Sequence, residues 1–240
     1  LYVGDQMARA MSFIMAVFIL VPVLAPSIGA LILGFAPWRM LFVVVALLGV
    51  AVALWTLRLR ETLDPAQRTP LTFSAVGGAA RVVVTNRVTI GYTLAGVFAF
   101  GAFLSYLATS ELIVSLVFDR ESIFPLVFGA TAAVMGAAML ANAWLVGWFG
   151  VASLARASLV VFVGLSAGLA ALAVATGGVP SFGVFVVGLA VTLGAFALLF
   201  PNLNTLAMEP MGAVAGMAAA VIGTVSTTGG AIFGFLLDQT

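Results

Sequence analysis

The sequence predicts an all-α membrane protein, and three observations carry that reading. Of the 240 residues, 64% are hydrophobic and only 7% charged, with a mean hydropathy of +1.28. A soluble domain carries about 25% charged and about 45–50% apolar residues. The apolar stretches run past about 18 residues each, long enough for a helix to cross a bilayer, whereas a barrel strand needs about 9–11 alternating ones. The basic residues are also divided unequally between successive loops, as membrane orientation requires.

Counting uncharged intervals against a span of about 20 residues predicts seven helices. Ala10 to Trp38 gives the first, at roughly 10–35, and Met40 to Leu57 the second, joined by a Pro37-Trp38-Arg39 hairpin. Residues 58–87 form a polar interlude holding five Arg, one Glu and one Asp. The third span runs from about Val88 to Phe118 and carries a single charge, Glu111. Ser122 to Ala155 is too long for one helix and breaks near Gly147-Trp148-Phe149-Gly150, leaving a fourth span of roughly 123–148. Ala157 to Met208 holds the fifth and sixth, divided by the turn Thr176-Gly177-Gly178-Val179-Pro180-Ser181. The seventh runs from about Gly212 to Leu237.

Arginine placement then sets the orientation. With the amino end cytoplasmic, the inner loops hold Arg9, Arg58, Arg60, Arg68, Arg81, Arg87 and Arg156, and the outer loops only Arg39 and Arg120. The expectation is a multi-pass protein of the cell inner (plasma) membrane, with the amino end of this chain cytoplasmic. The run Leu1–Arg9 resembles neither a signal peptide nor a tag, so the expected reading is a fragment or a chain whose start lies upstream.

The residue types that are missing narrow the chemistry. There is no Cys and no His, which excludes disulfides, thiol chemistry, imidazole metal ligands and Ser-His-Asp catalysis. All nine basic residues are Arg, so a lysine-dependent phosphate loop and a lysine Schiff base are impossible. No cofactor, metal or enzyme activity is expected. A formal net charge of +1 points to no nucleic-acid partner.

Three stretches carry a family resemblance. The first is Leu1-Tyr2-Val3-Gly4-Asp5-Gln6-Met7-Ala8-Arg9-Ala10-Met11-Ser12, running into Val23-Leu24-Ala25-Pro26-Ser27-Ile28-Gly29-Ala30. The second is Trp38-Arg39-Met40-Leu41-Phe42, then Arg60-Glu61-Thr62-Leu63, then Asn86-Arg87 with Gly91-Tyr92-Thr93-Leu94-Ala95-Gly96. The third is Phe200-Pro201-Asn202, Met208-Glu209-Pro210, Val214-Ala215-Gly216 and Ala218-Ala219-Ala220. In order and spacing these resemble the Bcr/CflA drug-resistance branch of the major facilitator superfamily. The resemblance implies a partial major-facilitator bundle, seven transmembrane helices of an expected twelve, corresponding to the fifth through eleventh. Residues 1–57 would then be the last two helices of the N-terminal bundle, 58–89 the cytoplasmic inter-bundle loop, and 90–240 the C-terminal bundle without its last helix. The loop Val146 to Ser153 departs from the family, whose members usually carry several basic residues there.

Several residues stand out as candidates. Pro22 and Pro26 should kink the first span, and with Gly29 they resemble the superfamily's antiporter motif, a hinge pressed against the opposite half. Glu111 is the one charge well inside an apolar span, which a carboxylate tolerates only by facing a cavity, pairing, binding a proton or reaching the interface. At helical spacing Thr93, Val97, Gly101, Leu104, Ala108 and Ser115 share its face, a small-residue stripe that could line a cavity. Tyr106 and Ser110 project from a different flank, and Thr227 belongs to a polar patch on the last span. Together with Glu111 these are the substrate- or proton-binding candidates. Asn142, Asn202 and Asn204 are read as bridging helices or gating, because an amide in lipid seeks a partner helix. Gly164-x-x-x-Gly168, Gly212-x-x-x-Gly216 and Gly230-x-x-x-Gly234 permit close helix packing.

The function this supports is secondary active transport, namely proton-coupled efflux of drugs or other amphipathic small molecules. The implied partners are a small-molecule substrate, protons and the lipid bilayer, and the full-length form is expected to be a monomer. The alternatives are a major-facilitator carrier for a small metabolite, or a non-transporting membrane remnant or scaffold. No Arg lies clearly inside a span, which leans against anionic metabolites.

Overall fold

The computed structural model describes residues 28–29, 31–59 and 73–239, and among them all regular structure is helical. Six helices are long and apolar enough to cross a membrane, at Arg39–Thr56, Arg87–Val117, Glu121–Phe149, Val151–Ala175, Phe182–Gly212 and Ala215–Leu237. They fall where the second to seventh predicted spans fall. Most of the first, with Pro22 and Pro26, lies outside the described residues.

The first helix, α1 (Arg39–Thr56), follows the expected hairpin directly, with the Arg39 guanidinium 4.8 Å over the Trp38 ring. Among the described residues nothing covers it, and none of its own residues is buried. The next element was not anticipated. Within the polar interlude, α2 (Phe73–Thr85) turns Val83 into a cluster with Ala207, Met211, Ala218 and Ile222. The run Val82-Val83-Val84 is β-branched and has low helix propensity, but burial of Val83 against two other helices compensates for it.

The remaining bundle consists of α3 (Arg87–Leu112), α4 (Phe124–Phe149), α5 (Val151–Ala175), α6 (Phe182–Met208) and α7 (Ala215–Leu237). Asn86 caps α3, its Oδ1 accepting from the backbone N–H groups of Val88 and Thr89 at 3.0 Å each. The far end of α3 widens into a π-helical turn, Ile113–Val117. The chain passes from α4 to α5 at Gly150 alone, whose φ of 75° suits a residue without a Cβ. Helix α6 is the centre of the bundle and packs on α3, α4 and α5. Its residues from Thr192 to Ala197 are buried without interruption.

The most extensive contact is between α3 and α7. A Cβ at Gly101 would lie 2.7 Å from the Phe233 ring and 2.9 Å from the Gly230 carbonyl oxygen. One at Gly234 would lie 2.9 Å from the Gly101 carbonyl oxygen. Of the three Gly-x-x-x-Gly pairs, Gly230 and Gly234 therefore form a packing seam. At Gly164, Gly168, Gly212 and Gly216 a Cβ would meet nothing within 4 Å, so those two pairs do not bring helices together among the described residues. The seam also corrects the stripe expected to line a cavity beside Glu111. Thr93, Val97 and Gly101 are buried, with Val97 against Gly229 and Leu104 against Gly234, so the stripe from Thr93 to Leu104 faces α7, whereas Ala108 is exposed.

Gly101→Ala should therefore destabilise the bundle by about 1–3 kcal/mol, because the Phe233 ring and the Gly230 backbone carbonyl both block the new methyl. Gly164→Ala should stabilise it slightly, by up to about 1 kcal/mol of helix propensity. Thermal unfolding of the two purified variants in the same detergent checks the contrast. Equal midpoints would remove the seam from the account.

Candidate functional site

Helix α3 presents Phe100, Phe103 and Tyr106 three residues apart, with Leu107 one place on, a spacing that keeps them on one flank. Helix α6 presents Phe196 and Phe200 four apart, and α4 presents Phe128, Met135 and Met139. Each α3 ring meets a ring from another helix. Phe103 stacks on Phe196 with centroids 4.8 Å apart, Phe100 on Phe200 at 5.2 Å, and Tyr106 on Phe128 at 6.1 Å. Offset stacks of this kind add about 0.5–1.5 kcal/mol each beyond the area they bury.

These side chains wall a cavity of about 260 Å³. Its lining side chains are aromatic, aliphatic or methionine, none is charged, and the Tyr106 hydroxyl is the one polar group among them. Thr131 donates to the Phe128 carbonyl oxygen at 2.8 Å, so the 3.0 Å bond between Tyr106 and Thr131 has the tyrosine as donor. Pro201, inside α6, also lines the cavity together with Ala197. Proline has no N–H for the Ala197 carbonyl four residues earlier, and the helix is weakened there.

Immediately after Pro201 the amides meet. Asn202 donates to Asn142 Oδ1 at 2.6 Å, tying α6 to α4, and also to the Leu198 carbonyl at 2.6 Å. Asn202 is 2% exposed and Asn142 is half-buried. Asn204 is not part of it. It lines a wide concavity of about 820 Å³ with Gly150 to Ser153 and Glu209, at the helix ends.

The other expected residues separate. Tyr106 lies in the aromatic wall, and Ser110 in an adjoining cavity that shares Tyr106 and Phe128 with it. Glu111 is exposed and lines none of these cavities, because one residue further along a helix turns a side chain by about 100°. Thr227 is exposed too. The inward face of α7 runs through Ala218, Ile222, Ser226, Gly230 and Gly234, and Thr227 is one place off that row. Gly29 is helical and half-buried, with nothing within 4 Å of where its Cβ would be, whereas its hinge partners Pro22 and Pro26 lie outside the described residues.

The aromatic ladder was not singled out from the sequence. Its signal is the spacing of Phe100, Phe103 and Tyr106 beside Phe196–Phe200 and Met135–Met139. Such stripes equally well face lipid, and only the packing separates the two outcomes.

The family model described as Major Facilitator Superfamily matches residues 1–234. An uncharacterized MFS-type transporter of Bacillus subtilis (strain 168) is 27% identical, over 96% of this chain and 58% of its own length. A bicyclomycin resistance protein homolog of Haemophilus influenzae is 27% identical, over 99% of this chain and 59% of its own. The multidrug resistance protein MdtL of Salmonella heidelberg is 26% identical, over 94% and 55%. The chain thus spans a little over half the length of the curated relatives it matches. No solved structure matches it significantly.

The amide pair generates its own test. Asn142→Leu and Asn202→Leu should each destabilise the protein, and the double variant should fall short of their sum by about 0.6 kcal/mol, with about 1.7 kcal/mol as a ceiling for such bonds in membranes. A double-mutant cycle on unfolding in detergent measures it, and strict additivity would mean the bond contributes nothing.

Proposed function

We propose a function from one premise: this chain belongs to the Major Facilitator Superfamily. It forms part of a secondary transporter that exports drugs or other amphipathic small molecules, with protons as the coupling ion. The observation that carries the substrate class is the cavity of about 260 Å³ walled by stacked aromatic rings and two methionines. Flat aromatic surfaces hold planar apolar bodies, methionine adapts to their outlines, and the absence of charge from the lining disfavours small ionic metabolites. The names of two relatives, a bicyclomycin resistance protein homolog and a multidrug resistance protein, support the same class.

In this reading the cavity is one wall of a binding site between two helical halves, and alternating access comes from one half rocking against the other. Tyr106, hydrogen-bonded through Thr131 to the α4 backbone, orients the substrate at one end. The Asn142–Asn202 bridge holds α4 and α6 together as a unit while the halves move. Pro22, Pro26 and Gly29 supply the hinge facing the opposite half, and Asn204 lies on the concavity through which one gate closes. Glu111 takes up a proton from the exposed face of α3, and Thr227 faces the rest of the transporter. The full-length protein works as a monomer.

The seven-to-two division of arginines supports an amino end in the cytoplasm. A cysteine replacing exposed Ser153, in the first turn of α5, should then resist an impermeant thiol reagent in intact cells, and one replacing exposed Ser181, before α6, should react. The reverse pattern would invert the orientation.

Efflux of a fluorescent cationic dye tests the function in the intact transporter carrying this chain. Export should cease when a protonophore collapses the gradient. Phe103→Ala, at equal expression, should weaken apparent dye affinity by up to about tenfold, the scale of one lost ring stack. Glu111→Gln should abolish the dependence of export on pH. Gradient-independent leakage, or export indifferent to both substitutions, would overturn the reading.

A further inference from the structure

Ser110 departs from the other serines and threonines of α3. Thr89 donates to the Ala207 carbonyl, Thr93 to Thr89, Thr109 to Ser105, and Ser105 to the Asp238 carboxylate. Just beyond the helix, Ser115 donates to Glu111. The backbone acceptor four residues back is thus the ordinary partner here, and Ser110 does not take it. Its hydroxyl is buried, the residue is 6% exposed, and it has no hydrogen-bond partner. A buried hydroxyl without a partner is uncommon, because it has given up water and received nothing in return.

The side chain lines a cavity of about 210 Å³, enclosed by the end of α3, the π-helical turn, the start of α4 and the first half of α6. Ile113, Val114, Phe124, Val127, Phe185 and Leu189 make most of its wall apolar. Ser105 donates to Asp238, Thr109 within its helix and Tyr106 to Thr131, so of the hydroxyls lining the cavity Ser110 is the one without a partner for a guest to replace. An apolar protein cavity of about 150 Å³ admits a benzene ring, so this one has room for a ring with a small substituent. No charged residue lines it, and an ion entering it would lose its hydration uncompensated. A π-helical turn is uncommon and is found frequently at functional sites. Here the turn supplies Ile113 and Val114 to the wall.

We propose that this cavity is a subsite for an uncharged aromatic group bearing one hydroxyl or amide, held by a hydrogen bond to Ser110. It rests on the transporter reading for its role, as the place where the ring of a substrate is selected beside the aromatic groove. The stacked Tyr106–Phe128 pair is the partition between the two compartments and belongs to the wall of each. A serine hydroxyl both donates and accepts, so a phenol and an amide satisfy it equally, and a hydrocarbon of the same size does not.

Phenol and toluene, nearly equal in shape, make the test. The intact transporter carrying Ile113→Cys is reconstituted in liposomes without a gradient and treated with methyl methanethiosulfonate. Modification is read by mass spectrometry on the peptide holding residue 113. Phenol should protect the cysteine at about tenfold lower bilayer concentration than toluene, the size of one hydrogen bond to a neutral buried group. Adding Ser110→Ala should make the two solutes equal. Should Ile113→Cys fail to assemble, Leu189→Cys on the opposite wall is read in the same way. Equal protection by both solutes, a phenol preference that survives Ser110→Ala, or no protection by either would overturn the proposal. Because no gradient is used, a protein that prefers phenol but exports no dye keeps the subsite and loses the transport reading. One that exports dye without preferring phenol does the opposite.

Discussion

Between lipid and a neighbouring helix an apolar side chain has little to choose, so helices in a bilayer associate through van der Waals contact and hydrogen bonds, and contact improves as backbones approach. In this bundle that approach is closest where Gly101 of α3 meets Gly230 and Gly234 of α7, near enough that an added methyl at any of the three would strike its neighbour. The seam fixes the rotation of α3. With Val97 and Gly101 turned to α7, the row Phe100, Phe103 and Tyr106 is carried round to face α6 and α4. Thr89, at the start of the helix, completes the attachment through its bond to the Ala207 carbonyl.

Once α3 is set, α6 becomes the element on which the others are assembled. Its buried run from Thr192 to Ala197 packs against neighbours on several sides, and its weak point at Pro201 falls beside the aromatic cavity. Asn202 follows immediately, bonding both to the Leu198 carbonyl and to Asn142. A proline that loosens the helix is thereby followed by an amide that ties it to α4. The combination gives a wall whose aromatic faces are held from two directions, with a helix that can bend at one defined place.

Polar groups in the same region divide by whether they are satisfied. Tyr106, Thr109 and Thr131 have found partners within the protein, and Ser110 has not. The charged residue of the span, Glu111, is exposed one position away, so charge and neutral hydroxyl point in different directions from adjacent residues.

The sequence by itself determined where six described helices lie, because whether a segment can cross hydrocarbon depends on that segment's own length and charge. It likewise located the turns at Gly150 and at Gly177-Gly178, where positive φ is needed. The tertiary structure alone decided which faces meet. Three Gly-x-x-x-Gly pairs look alike in the sequence, yet among the described residues only Gly230–Gly234 has a helix pressed on it. The stripe beside Glu111 reads as a cavity lining in the sequence, yet α7 covers it from Thr93 to Leu104, while the unremarked stripe through Phe103 is the one that α4 and α6 enclose. The helix α2 was hidden because its buried anchor Val83 is stabilised by residues more than a hundred positions away. Crossing a bilayer is a property of one segment, whereas packing is a property of pairs, and the partner of Asn202 is sixty residues distant.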